Sequence, residues 1–208
     1  MSPLDELARL GSATVYEAAG RGRFVDAPLQ RISPGARVAG PARTVQCGQN
    51  DNLMVHAAMP LVQPGDVLVL TMPLPEPVAL FGGLLATQAR ARGAAGVLVD
   101  GSVRDVEELA ELGPPTWTRW VRIRGATKDE VGALDVPVEV GGAVIRPRDV
   151  VVLDADGVAV VEAERVDEVL SAALERERKE RDKAQQLAAG ALSYDLDGLR
   201  LRVEGAGP

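Results

Sequence analysis

From Gly65 onward, apolar runs alternate with segments of helical period. "GDVLVLTM" is a continuous apolar run behind a Pro-Gly turn, as expected of a strand covered on both faces. "GGLLATQARARG" follows as a helix opened by a Gly pair and closed by Gly93, and "AAGVLVDG" is a second buried strand. Strand, helix and strand between Gly65 and Gly101 predict parallel pairing in a covered sheet. Upstream, "SPLDELARLGSATVYEAAGR" predicts a short helix, a Gly stop and a second helix capped near Ser12 or Thr14. "ARVAGPARTVQC" predicts a strand broken at Gly40-Pro41, and "NDNLMVHAAMPLV" a helix with Met54, Ala57, Ala58 and Leu61 on one face. Downstream come a helix in "VRDVEELAELG" and a loop in "PPTWTRW". Strands in "VRIRGA", "VPVEVGGAVI" and "DVVVLDADGVAVV" then predict a mixed sheet or barrel-like sandwich.

The segment "ERVDEVLSAALERERKERDKAQQLAAG" predicts a long helix in which Val166, Val169, Leu170, Ala173 and Leu174 form an apolar stripe along the first half only. Its second half is polar nearly all round, which fits either a solvated face or a contact with a neighbouring subunit. The expected division is a single α/β domain over residues 1–163 and a C-terminal helix and tail over 164–208, the tail packing on a neighbouring subunit.

Composition narrows the function classes. At 208 residues, 46% hydrophobic and 25% charged, the chain has the makeup of an ordinary globular protein, and its 3% aromatic content leaves the core to Val, Leu and Ala. A formal net charge of -7 argues against nucleic acid as the main partner, because phosphate binding needs a Lys/Arg surplus. Cys47, the single cysteine, excludes an intrachain disulfide and reads as a buried structural thiol. No apolar run is long enough to span a bilayer, and "MSPLDELARLG" lacks the basic-then-apolar plan of a signal peptide, so the expected location is cytoplasmic.

Three places carry candidate chemistry. Gly82 and Gly83 precede Leu84 and Leu85 at a helix start, where free N–H groups bind carboxylate or phosphate; a plain turn is the competing reading. Arg104-Asp105 closes a predicted parallel strand, where open α/β sheets place their sites. The guanidinium can grip a carboxylate and the Asp can hold a divalent cation, whereas the structural alternative makes Asp105 the cap of the helix that follows. His56, the only histidine, is either a proton carrier or a histidine packed on an apolar helix, and with no second His a triad or His-rich zinc site has little to build on. The Trp117–Trp120 loop and Arg148 either tune specificity or pack.

Several stretches in order resemble one family. "ATVYEAAGR", "NDNLMVHAA", "QPGDVLVL", "FGGLLATQARARGAAGVLVDGSVRD", "GATKDEVGALDVPV", "RPRDVVVLDADGVAVV" and "LAAGALSYDLDGLR" are similar to the class II pyruvate aldolases. These act on 4-hydroxy-4-methyl-2-oxoglutarate and 4-carboxy-4-hydroxy-2-oxoadipate, and they are related to the regulator of ribonuclease activity A. The resemblance covers nearly the whole chain. It implies an αββα-like sandwich or barrel with a C-terminal helical tail, assembled as a homotrimer or a dimer of trimers with sites at subunit interfaces. It also implies a Mg or Mn ion that helps stabilise a pyruvate enolate, and oxaloacetate decarboxylation in many members. A cation plus Arg is coherent chemistry for either reaction, since both leave negative charge on a 2-oxo acid.

Carried over, the resemblance makes Arg104 the pyruvate-oxygen ligand, Asp105 the metal ligand, and the amides of Leu84 and Leu85 the carboxylate cradle. Lys128 in "GATKDE" and His56 remain as further members of the carboxylate pocket. The family's motif is an Asp or Glu, twenty residues, then Arg-Asp; counted back from Arg104, the acidic position is Gly83. The tail motif LAAGE reads "LAAGA", with Ala191 in place of its Glu, and ATVHEA reads "ATVYEA", with Tyr16 before Glu17. Glu17 compensates only where it points inward. With Gly83 and Ala191 in place of acids, a Mg or Mn site is expected to be weakened or lost. Three readings stay open: a carbon–carbon lyase of aldolase or oxaloacetate-decarboxylase type on a small 2-oxo acid or carboxylated substrate; a repurposed enzyme of specialised metabolism, metal-independent in one form, using Tyr16, His56 or Asp105 as acid or base; and a non-catalytic regulator or binding protein.

Overall fold

The computed structural model describes residues 2–205. Two helices, α1 (Pro3–Leu10) and α2 (Ser12–Ala18), precede the strands β1 (Arg23–Phe24), β2 (Gln30–Arg31) and β3 (Val38–Gln46). Helix α3 (Leu53–Ala58) runs into a 3-10 turn at Met59–Leu61, followed by β4 (Val67–Thr71), β5 (Ala79–Phe81), α4 (Gly83–Ala91) and β6 (Gly96–Val103). Then come α5 (Val106–Leu112), β7 (Thr116–Val121), β8 (Ala133–Leu134), β9 (Val138–Val140) and β10 (Ala143–Ile145). The last elements are β11 (Val150–Leu153), β12 (Val158–Val161), α6 (Val166–Ala188), α7 (Ser193–Leu196) and α8 (Leu199–Glu204).

The strands form one mixed sheet in the order β1-β12-β11-β3-β4-β6-β7-β2, with β5 also paired to β6 and β8 to β3. β3, β4, β6 and β7 are parallel neighbours, while β11, β12, β1 and β2 join antiparallel. β9 and β10 make a separate antiparallel hairpin. The predicted strand–helix–strand block is therefore β4, α4 and β6, with β4 parallel to β6.

Within the continuous apolar runs a period of two sorts side chains to opposite faces. Leu68 and Leu70 of β4 face a core shared with Val55 of α3, Leu85 of α4 and Leu109 of α5. Val67 and Val69 face the other core, built with Leu98, Trp117, Val140, Ile145 and Val151. A third core packs Leu7 of α1, Val15 of α2, and Val169 and Ala173 of α6 on Val150, Val152, Ala159 and Val161.

Three expectations need correction. β3 is not broken at Gly40-Pro41 but runs through both, paired with Val151 and Val150 of β11. "PPTWTRW" is no loop: Thr116–Val121 is β7, and the strand expected in "VRIRGA" ends at Val121. The Thr116 and Thr118 hydroxyls are buried because they donate to the Pro114 and Gly101 carbonyls, and Trp117 Nε1 donates to the Asp154 carbonyl at 2.7 Å. On α3 the buried residues are Met54, Val55 and Ala58, while Ala57 and Leu61 are exposed. Ala57 lies beside exposed His56 on the outer side of α3, and the 3-10 turn at Met59–Leu61 shifts the register only for Leu61.

The chain divides into two compact units, Met1–Ala173 and from Leu174 onward. The first extends ten residues beyond the expected boundary because Val169 and Ala173 are core residues. In the second, Lys183 pairs with Asp197 at 2.6 Å and Arg200 with Asp195 at 2.5 Å, the Arg200 guanidinium lying 4.8 Å from the Tyr194 ring centre. Among the described residues no helix is long and apolar enough to cross a membrane.

Candidate functional site

The parallel strands β5 and β6 end beside each other, and the chain leaves them as the starts of α4 and α5. Between these starts lies a cleft of about 240 Å³. His56, Leu84, Leu85, Arg104, Asp105 and Lys128 all line it, together with Gly82 and the residues Asn52 and Glu108.

Helix α4 opens on Gly82 in extended conformation, and no side chain caps it from within. Its ladder begins with Ala86 N–H donating to the Gly82 carbonyl at 3.0 Å, so the Leu84 and Leu85 amides have no partner among the described residues. The remaining amide, on Gly83, donates to Asp105 Oδ2 at 3.0 Å. Asp105 holds the cap position of α5 but does not cap it. Its backbone is left-handed (φ 57°), a conformation that Asp tolerates better than most residues, and its side chain turns to α4 instead. Arg104 Nε lies 3.7 Å from Asp105 Oδ2 with half of its side chain exposed, and Nη1 lies over Gly125, where a Cβ would stand 2.9 Å away.

His56 projects from α3 at the exposed rim. Partial burial and then the Lys128 charge push its pKa below the ordinary 6.5, which keeps the imidazole neutral at physiological pH. Lys128 reaches the cleft on the loop that follows the Gly125 bridge. That loop is tied down by Asp51, which is fully buried: one oxygen accepts from Leu53 N–H at 2.7 Å, and the other from Thr127 Oγ1 at 2.7 Å, Asp129 N–H at 2.6 Å and Glu130 N–H at 3.2 Å. Burial alone would raise the Asp51 pKa, but these donors outweigh it and hold the carboxyl below 3.8.

Other candidates lie elsewhere. Tyr16 stacks edge-on with Phe24, centroids 5.2 Å apart, in a separate pocket with Ser12 and Asp26, so one chain alone does not bring it to Arg104. Glu17 pairs with Arg21 at 3.1 Å on the surface of α2. Ala191 belongs to the second unit, between α6 and α7. Arg148 adopts a left-handed backbone (φ 73°) and donates to Asp66 at 3.2 Å, and Trp117 is core. Burial pushes the Cys47 thiol up to about 12, with the Asp51 charge adding to the effect, so it is not a nucleophile at neutral pH.

Sequence reasoning missed Asp51, Asn52 and Glu108. The signal available was spacing: Glu108 is three residues beyond Asp105 on one helix start, which turns both toward the same side.

The Aldolase/RraA family, described as RraA-like, matches residues 12–160. The chain belongs to this family. A curated protein of Halalkalibacterium halodurans named "Putative 4-hydroxy-4-methyl-2-oxoglutarate aldolase" is 36% identical over 176 residues, covering 85% of this chain and 81% of that protein. A protein of the same name from Burkholderia multivorans is 38% identical over 143 residues, covering 69% and 87%. Among solved structures, a Streptomyces coelicolor protein described as an unusual member of the RNase ES inhibitor RraA family superposes with TM-score 0.78 at 32% identity, covering 88% of this chain and 95% of that one. An uncharacterized protein of Pseudomonas syringae superposes with TM-score 0.82 at 25% identity, covering 91% and 90%. Family membership thus accords with the mixed sheet flanked by helices, and aldolase-type lyase chemistry is supported at the level of the family.

Proposed function

We propose that this Aldolase/RraA chain is a carbon–carbon lyase on a small 2-oxo acid, of aldolase or oxaloacetate-decarboxylase type. The observation that carries the reading is the pairing of Arg104 with two unpartnered helix-start amides, Leu84 and Leu85, in one cleft. The amides and the α4 dipole receive the substrate carboxylate. Arg104 donates to the 2-oxo oxygen, which gains negative charge as the bond breaks and the electron pair moves into the enolate. In an aldol cleavage Lys128 offers a cation to the distal carboxylate, and neutral His56 takes the proton of the 4-hydroxyl, whose oxygen becomes the carbonyl oxygen of the second product as the C–C bond breaks.

A divalent ion fits this donor set only sparingly. Among the described residues no three His, Cys, Asp or Glu side chains converge as a cage. Asp105 nevertheless offers a hard carboxylate, with one oxygen fixed by Gly83 and the other without a partner. Mg binds through one or two carboxylates plus substrate and water, so Asp105 is the residue that would hold it. When bound, the ion supplies Lewis-acid stabilisation of the enolate oxygen. The same reading assembles the protein as a homotrimer or dimer of trimers, with the second unit on a neighbouring subunit.

Oxaloacetate decarboxylation, assayed with Mg and in EDTA, tests the reading. Arg104→Ala is expected to lower kcat/KM by about a hundredfold or more, as the loss of an oxyanion donor does. Wild-type rates in that variant would sink the proposal. A second reading, a regulator of RNA processing, draws on the names of the solved relatives. It predicts a ribonuclease partner in pull-downs and no turnover in either assay.

A further inference from the structure

The carboxylate that the motif leads one to expect at position 83 is absent, yet the space for it is filled. A Cβ built on Gly83 would overlap Glu108 Oε2 and lie 3.6 Å from the Cβ of Asp105. Glu108 occupies the third position of α5, where a glutamate ordinarily reaches back to accept from the N–H of the cap residue. It makes no such bond, and its carboxylate has no hydrogen bond or ion pair among the described residues. It is turned instead across the cleft mouth to the start of α4, where Asp105 is already fixed by the Gly83 amide.

A second observation marks the same cleft as polar and unsatisfied. Asn52, which lines it, is 8% exposed; its Nδ2 donates to the Leu80 carbonyl at 3.0 Å, while its buried Oδ1 has no partner. A buried amide oxygen without a donor is uncommon, and an ordered water or a bound cation is what ordinarily satisfies one. Among the described residues Asp105 is paired only with half-exposed Arg104, at 3.7 Å, so two carboxylates that a divalent cation could share meet at one glycine.

We propose that Glu108 supplies the second carboxylate of the site, and that Asp105 and Glu108 together bind a divalent cation. In this arrangement the second acid stands on the first turn of α5 rather than of α4, and glycine at 83 gives the Glu108 head its room. The inference rests on the cation-assisted form of the lyase reading, and its test separates the two.

Mn binding to the full chain is titrated with MnCl2 by the electron paramagnetic resonance signal of free Mn. Because charge count sets the affinity of oxygen sites, Glu108→Gln is expected to raise the Kd about tenfold or more, as Asp105→Asn does. Glu107→Gln, which alters the neighbouring exposed acid, leaves the Kd unchanged. Returning the acid to α4 in the double variant Gly83→Asp/Glu108→Ala is expected to recover the wild-type Kd to within about threefold. Glu108 is exposed, so its replacement does not threaten folding, and thermal melts check this directly. A wild-type Kd in Glu108→Gln overturns the inference, and if Asp105→Asn still weakens binding, the Asp105 site survives without it. Absence of saturable Mn binding to the wild-type chain overturns the inference too; oxaloacetate turnover in EDTA would then show that the lyase reading stands alone.

Discussion

Asp105 occupies a position where an aspartate ordinarily caps its own helix, and its left-handed backbone sends the carboxylate to the Gly83 amide instead. The Arg104-Asp105 pair is legible in the sequence because its chemistry is local to a strand end. The partner of Asp105 is not, because it depends on how two helix starts meet across β5 and β6. His56 is similar: its position on a helix can be read from the chain, but its lowered pKa depends on burial and then on Lys128, distant in sequence. Because burial and then the Lys128 charge lower its pKa, His56 stays neutral as pH falls past 6.5 and gains its proton only below that value. With His56 as the base, kcat/KM therefore holds through 6.5 and declines at lower pH. Lys128→Met removes a repelling charge, so the acid limb of the pH–rate profile moves up toward 6.5, and His56→Gln abolishes it. A limb that stays put in Lys128→Met would contradict this assignment.

At the scale of elements, the continuous Val and Leu runs of β4 and β6 announce covered parallel strands, whereas β7 hides in a stretch of Pro, Thr, Trp and Arg. Its hydroxyls are buried only because the Pro114 and Gly101 carbonyls receive them, and no local pattern reports such partners. Asp51 is hidden in the same way: within "NDNLMV" it looks like a helix-start residue, yet it also anchors the loop carrying Lys128, 77 positions away. Asp51→Asn sets an amide against donor groups and is expected to destabilise the fold by about 2 kcal/mol or more, read by denaturant unfolding at neutral pH. The sign with pH is fixed by the lowered pKa. The carboxylate's contribution is complete above the ordinary 3.8 and is lost as pH falls through the lower folded value. The difference between wild type and variant therefore narrows in acid; a constant difference would show that ionisation is not its origin.

For the molecule as a whole, the buried side of α6 ends where the first unit ends, at Ala173; the sequence shows a stripe confined to the first half of the helix but carries it on to Leu174, which is exposed. The residues beyond it leave Leu192, Leu196, Leu201 and Val203 exposed, an apolar burden that a solvated tail does not need. In the assembly proposed above a neighbouring subunit covers them. A chain ended after Ala173 keeps its three cores and should melt within a few degrees of wild type, but with a smaller oligomer in light scattering after size exclusion. An unchanged oligomeric mass would place the subunit contacts elsewhere. The central claim, enolate stabilisation in the Arg104 cleft, is met most directly by exchange of the pyruvate methyl protons in D2O, followed by NMR with Mg present. The wild-type chain is expected to exchange them and Arg104→Ala to lose that activity, whereas no exchange above buffer, or equal exchange in both proteins, would contradict it.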